Sequence, residues 1–271
     1  FIVHTLGKTE YGIWSLLTVL TGYMGLLDIG VRSSTGRFIA LYLGRNDHRR
    51  IDETIRTGLG IFSAVGLIML LGSVGLGYGF PYFFKSVPPR YNDVVLALLP
   101  VLAVNLWVSG LVAVFSSVLT AHDRFDLTRG VDIIVLGVRT GGTVAALMAG
   151  YGMVGMTAAI LGAHVVGLLG NWWLAKRTYP RLKIWPPAFL RRRTREMFGY
   201  GIPAFVSRIA YKIIGQTDMV IVGAVLGVAA VTPYSVGAML VMYSASFLGH
   251  VNSTFFPTIQ RAAARGEDET V

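Results

Sequence analysis

Residues 199–218 read GYGIPAFVSRIAYKIIGQTD, and the apolar run continues through MVIVG to residue 223. That length suits a helix crossing a bilayer core of roughly 30 Å. Yet Arg208 and Lys212 stand in the middle of the run. On the insertion scale each such cation costs about 2.5–3.5 kcal/mol at a helix centre, so a span that carries them has to hydrate or pair them. The rest of the chain decides whether this is a span at all.

Composition places the chain in the membrane. Of its 271 residues 54% are hydrophobic and only 14% charged, and the mean hydropathy is +0.61, too apolar for a soluble domain of this size. Apolar segments recur at 11–31 (with a polar helical extension to about 43), 57–80, 94–120, 131–150, 153–175, 199–223 and 231–257. Their length predicts an all-α polytopic transmembrane helix bundle, because barrel strands are shorter and alternate in polarity. With no cysteine there is no disulfide frame and no thiolate metal site. Phe1 is not an initiator, and FIVHTLG reads as the tail of an apolar segment rather than a signal peptide, so the chain is expected to be a fragment.

The loops between these segments alternate between two sides. One side collects Arg45, Arg49, Arg50, Arg56, Arg124, Arg129, Lys176, Arg177, Arg181, Lys183, Arg191, Arg192, Arg193, Arg195, Arg261 and Arg265; the other holds Lys8, Lys85 and Arg90. The positive-inside rule puts the first set in the cytoplasm. Most of the formal charge of +10 is thus topological and makes no case for nucleic acid. The run at 176–195 reads as a cytoplasmic linker touching anionic headgroups. Glycine pairs such as Gly75/Gly79 and Gly137/Gly141 have the spacing of close helix contacts, and Pro100, Pro203, Pro233 and Pro257 fall where they kink or end helices.

One internal repeat is visible. LGKTEYGIWSLLTVL, from Leu6, resembles LGVAAVTPYSVGAML, from Leu226: Leu-Gly, a short turn, then a fresh apolar helix. Repeated bundles around a central site are a common transporter plan. The expected organisation is residues 1–175 as most of an N-lobe lacking its first helix, 176–198 as a basic linker, and 199–271 as the first two helices of a C-lobe.

These two stretches carry a family resemblance. LGKTEYGIWSLLTVLTGYMGLLDIGVRSSTGRFIALYLGRND is similar to the second-helix region of O-antigen flippase-type polysaccharide exporters, whose superfamily also holds MATE multidrug exporters and lipid II flippases. GYGIPAFVSRIAYKIIGQTDMVIVGAVLGVAAVTPYSVGAML resembles the seventh and eighth helices of the same family. The resemblance implies a bacterial or archaeal cytoplasmic membrane and work alongside polysaccharide assembly enzymes.

Residue chemistry narrows the site. Arg208 and Lys212 are spaced i, i+4 and share one helix face; with Arg139, also far from its helix end, they are candidates for a hydrated cavity meeting an anionic substrate, or for pairing with Asp132 or Asp218. Arg32 and Asp28, also i, i+4, form either part of that surface or a local salt bridge. Arg37 is expected to snorkel. Asp218 and Asp28 are the candidate sites for a coupling cation, with Asp218 equally suited to offsetting Lys212. His164 and His250 read as packing residues, and Asn105, Asn171 and Asn252 as interhelical hydrogen-bond glue.

No H-E-x-x-H, G-x-S-x-G, Walker A or dinucleotide glycine pattern occurs, so no enzyme, cofactor or metal is indicated. The leading reading is a flippase moving a polyprenyl-diphosphate-linked oligosaccharide, its diphosphate met by cations. Any coupling is expected from a proton or sodium gradient. Multidrug efflux is the alternative within the superfamily; an integral-membrane polysaccharide enzyme or a channel stands outside it.

Overall fold

The computed structural model describes residues 1–28, 30–186, 189–244 and 246; the side chains of Ala204, Arg208 and Tyr211 lie outside the description. The elements are α1 (Ile2–Met24), a 3-10 turn (Gly25–Asp28), α2 (Val31–Gly44), α3 (His48–Phe83), a second 3-10 turn (Pro89–Tyr91), α4 (Asn92–Ala121), α5 (Phe125–Met148), α6 (Gly152–Thr178), α7 (Arg191–Val225) and α8 (Val228–Ser244). Among the described residues there is no strand, and the all-α membrane bundle stands. Among the described residues four helices, α3 to α6, are long and apolar enough to span a bilayer, and the bent pair α1–α2 counts as a fifth if its two halves are taken as one span.

The helices outrun the apolar segments at their polar ends. Helix α3 begins nine residues before the apolar run at 57, because the Asp47 carboxylate caps it by accepting the Arg50 N–H at 3.1 Å. The expected continuous helix over 11–31 and on to 43 is corrected: it starts at Ile2 and breaks between Gly25 and Gly30. Gly30 has φ +73, and a Cβ there would lie 2.3 Å from the Gly201 carbonyl oxygen of α7. Only glycine meets both demands. Helix α7 is long, at 35 residues, but its charges keep it out of the apolar set. Of the expected segment 231–257, residues 245 and 247–257 lie outside the described residues.

Contacts sort the helix ends into two groups. At the basic end, Tyr179 after α6 meets His48 of α3 at 3.3 Å, its ring lies 5.8 Å from His122 after α4, and Arg56 donates to the Pro186 carbonyl at 2.7 Å. At the opposite end Tyr91 donates to Glu10 at 3.1 Å and the Val228 N–H donates to Ser86 at 3.1 Å. Each end has its own apolar cluster: Ile39, Ile51, Ile55, Phe115, Leu119 and Met197 at the basic end, and Ile13, Leu16, Phe80, Leu99, Val228 and Val231 at the other. Outward faces carry Leu67, Leu71, Ile133, Leu136 and Leu169 in the open, as a bundle in lipid requires.

The Leu-Gly repeat has a structural counterpart. Gly7 and Gly227 both adopt positive φ, 78 and 89, where the next helical stretch begins. The two turns also meet reciprocally. Thr232 donates its hydroxyl to the Lys8 carbonyl at 2.6 Å, while Gly12, its equivalent in the ungapped repeat, packs against the carbonyl of Val228, the equivalent of Lys8, so tightly that a Cβ would stand 2.2 Å away. Residue i on j and j on i is the signature of a two-fold relation.

The small-residue pairs do not serve as expected. Gly75, Gly137 and Gly141 have nothing within 4 Å of a Cβ position, and Gly79 has only Phe83 of its own helix. Close approach is provided instead by Gly66 against Trp107 and Gly110 against Phe62, both at 2.4 Å, where α3 and α4 cross. Spacing along one helix does not say which face has a neighbour.

Candidate functional site

Helix α7 runs antiparallel to α1: Gly201 lies against Gly30, Lys212 against Gly22, Gly223 against Leu16. Midway along this seam the chain places polar groups where a packed helix pair would hold leucines. A Cβ on Gly22 would stand 2.6 Å from the Lys212 ammonium and 3.4 Å from Gln216 Oε1. The missing side chain is what admits them. Tyr23 and Thr217 share a hydrogen bond of 2.8 Å across the seam, and the ammonium sits 6.0 Å from the Tyr23 ring centroid. Gln216 Oε1 is buried without a hydrogen-bond partner among the described residues. Lys212 forms no ion pair among the described residues. Counted from Phe198 it is about 21 Å along the helix.

A second cluster sits at the α1–α2 break. Asp28, 8% exposed, accepts the Gly30 N–H at 2.9 Å and lies 3.9 Å from Arg32. Arg32 reaches α4, donating to the Ser109 carbonyl at 3.3 Å and hydroxyl at 3.2 Å. One turn further, Arg37 lies over the Tyr200 ring at 4.1 Å. This cation–π contact is compatible with the expected snorkelling, since Arg37 stays exposed. Breaks of this kind are tolerated at membrane depth where side chains and neighbouring helices satisfy the freed backbone.

The remaining candidates scatter. Arg139 is exposed on α5, about 20 Å along it from Phe125, and Asp132 is taken by Arg129 at 3.2 Å. Asp218 accepts from the Tyr234 hydroxyl at 3.0 Å and makes no ion pair with Lys212 among the described residues. Arg208 belongs to α7 by its backbone, but its side chain lies outside the described residues, as do His250 and Asn252. His164 has a ring nitrogen 3.0 Å from the Ile160 carbonyl, in keeping with packing. Asn171 donates to Gly167 in its own helix at 2.9 Å rather than across helices. Asn105 Oδ1 is buried without a partner among the described residues. Among the described residues no group of three His, Cys, Asp or Glu could hold a metal ion.

Sequence reasoning missed Tyr23, Gln216, Thr217 and Ser109, since one hydroxyl or amide in an apolar run is unremarkable until a facing helix supplies its partner. It also misread Arg193. That side chain is not a solvated linker charge but 5% exposed, donating to Glu53 at 3.1 Å, to the Tyr42 hydroxyl at 2.7 Å, and to Glu196. It ties α7 to α2 and α3 at the basic end.

A sequence profile of the polysaccharide biosynthesis proteins matches residues 2–263, nearly the whole chain. The chain belongs to this family. A relative, a Shigella flexneri protein provisionally named an O-antigen transporter, is 24% identical over 265 residues, covering 96% of this chain and 60% of its own length. Among solved structures, the inward-facing conformation of a multidrug resistance MATE family transporter of the MOP superfamily aligns with a TM-score of 0.63 and 16% identity, over 86% of this chain and 54% of that one. Family and fold agree on a multi-pass membrane protein. The chain spans about 60% of the length of the curated relative it matches.

Proposed function

We propose that this family member is part of a flippase that carries a polyprenyl-diphosphate-linked oligosaccharide from the cytoplasmic to the outer leaflet. The observation that carries this reading is Lys212, a cation held half-buried at the α1–α7 seam beside Gly22, with no carboxylate partner among the described residues. A buried cation is tolerated where an anion visits it, and a diphosphate supplies several acceptor oxygens for charge-assisted hydrogen bonds. Arg208, one turn earlier, and Arg32 and Arg139 are proposed to extend the cationic surface. The name of the Shigella flexneri relative supports a glycan cargo.

The cavity would open alternately to each side as two lobes rock about the seam. Residues 1–175 form the N-lobe in this reading, 176–198 the linker and 199–271 the start of the C-lobe; the reciprocal contact of the Gly7 and Gly227 turns supports it. Membrane lipids surround the bundle and the glycan chain stays in the aqueous cavity. No covalent chemistry is needed, so the protein acts without being an enzyme, beside the enzymes that assemble the polysaccharide. The setting is the cytoplasmic membrane of a bacterium or archaeon. Of the two acids proposed for proton or sodium coupling, Asp218 is the more accessible, because Asp28 is engaged by the Gly30 amide and Arg32.

The MATE-like fold keeps one rival in play, small-molecule efflux. The protein expressed from its complete reading frame and reconstituted in liposomes separates them. Translocation of a labelled lipid-diphosphate oligosaccharide, unaffected by cationic drugs, is expected; drug-driven antiport without any lipid translocation would overturn the reading.

A further inference from the structure

At the basic end a cleft of about 740 Å³ opens between the first turns of α3 and the segment leading to α7. Arg49, Arg56, Arg181 and Lys183 line it against two carboxylates, Asp52 and Glu53. Asp52 lies near Lys183 and Arg56, yet the four cations outnumber the two carboxylates. Glu53 is already held by Arg49 at 3.0 Å and by Arg193 at 3.1 Å. The Nε of Arg56 donates to the Pro186 carbonyl at 2.7 Å, which orients the guanidinium and, among the described residues, uses one of its five N–H donors. Arg181 and Lys183 are exposed. A stacked pair, His48 and Tyr179 with centroids 5.9 Å apart, completes the wall. A neighbouring cleft of about 430 Å³ shares Arg49 and Glu53 and adds Asp47, Arg50, Arg192 and Arg193, but there Arg50 is paired with Asp47 at 2.9 Å and Arg192 with Glu196 at 3.3 Å.

The segment that lines the cleft also carries two large open apolar rings: Trp185 is 81% exposed and Phe189 63%. Rings left open at the end of a membrane bundle belong at the headgroup level. Charge asymmetry assigns this end to the cytoplasm, where the leaflet is anionic. We infer that the cleft binds a phosphate-bearing anion at the cytoplasmic surface, held by Arg56, Arg181 and Lys183 with Trp185 and Phe189 anchoring the rim. The phosphate belongs to a lipid headgroup or to a free diphosphate. The site is distinct from the α1–α7 seam, so it holds whether or not Lys212 meets a transported lipid.

The test uses the protein in nanodiscs of phosphatidylcholine alone, or with phosphatidylglycerol added, and counts retained lipids by native mass spectrometry. A second arm titrates inorganic pyrophosphate into the phosphatidylcholine discs by calorimetry. Wild type is expected to retain phosphatidylglycerol, or to bind pyrophosphate, with an affinity that Arg181→Gln/Lys183→Gln lowers roughly 25-fold, about five-fold per basic residue. Arg56→Gln is expected to act likewise. Arg191→Gln, in the same basic run but outside the cleft, should change little. Lipid retained in the presence of pyrophosphate identifies a headgroup site; displacement of the lipid identifies a site for the free anion. Absence of binding by both ligands overturns the proposal. So does equal weakening by Arg191→Gln and the double variant, which would reduce the cleft to a diffuse surface potential.

Discussion

Replacing Arg193 with methionine tests whether α7 is locked to α2 and α3 at the basic end. The change keeps an apolar stem of similar length and removes the hydrogen bonds to Glu53, Glu196 and Tyr42. Removing one partner of a buried ion pair costs about 3–5 kcal/mol. Here the loss is smaller, because Glu53 keeps Arg49 at 3.0 Å and Glu196 keeps Arg192 at 3.3 Å. A cost of about 2–3 kcal/mol follows, roughly a 30- to 150-fold change in the unfolding equilibrium. The pH dependence has a definite sign. Burial works to raise the Glu196 carboxyl, but the hydrogen bonds from Arg193 and Tyr42 outweigh it and hold its pKa below the ordinary value. A depressed carboxyl stabilises the fold fully above its unfolded pKa, about 4.3, and loses that stabilisation as pH falls through the folded pKa. Burial also opposes the charge of Arg193, yet its bonds to Glu196 and Glu53 raise its pKa, so its own contribution fades only in strong alkali. SDS titration of the protein in detergent micelles, followed by circular dichroism, should therefore show a large gap between wild type and Arg193→Met at pH 7 that narrows as pH falls below the ordinary glutamate range. Coincident transitions at pH 7, or a gap that acid leaves unchanged, would refute the reasoning.

Other substitutions probe the close approaches. Gly12→Val puts a branched side chain 2.2 Å from the Val228 carbonyl and is expected to lower stability by about 1–3 kcal/mol or more in the same titration, whereas Gly137→Ala, with open space around it, should be neutral or stabilising by up to about 1 kcal/mol. Gly30→Ala is strained by its positive φ and blocked by Gly201, so limited proteolysis of the α1–α2 break should accelerate. Gly22→Val faces the movable end of Lys212 rather than backbone; folding should survive while lipid translocation in proteoliposomes falls.

How far the sequence reaches can be argued residue by residue. Hydropathy located α3 to α6 within a few residues of their apolar cores, because a bilayer fixes how long an apolar helix must be. It overran the break at Gly25–Gly30, where a single acid, Asp28, interrupts an otherwise apolar run and only the approach of Gly201 shows the need for a left-handed glycine. The Leu-Gly repeat was legible as a pattern, but its reciprocal Thr232–Lys8 and Gly12–Val228 contacts were not, since they join residues more than two hundred positions apart. Lys212 stood out by its cost in an apolar run. Its neighbours Tyr23 and Gln216 did not, for a lone polar side chain gains meaning only from the facing helix. Arg193 was hidden as one of eight basic residues in the run 176–195 for the converse reason: charge type alone does not distinguish a buried arginine from solvated ones.

The central claim is that the Lys212 ammonium meets the diphosphate of a transported lipid. The direct measurement is the rate of lipid-diphosphate oligosaccharide translocation in proteoliposomes by wild type, Lys212→Met and Lys212→Arg, at matched amounts of folded protein. Loss of one charged hydrogen-bond donor predicts a fall of roughly 10- to 100-fold for methionine and substantial rescue by arginine. Translocation by Lys212→Met at the wild-type rate would contradict the account.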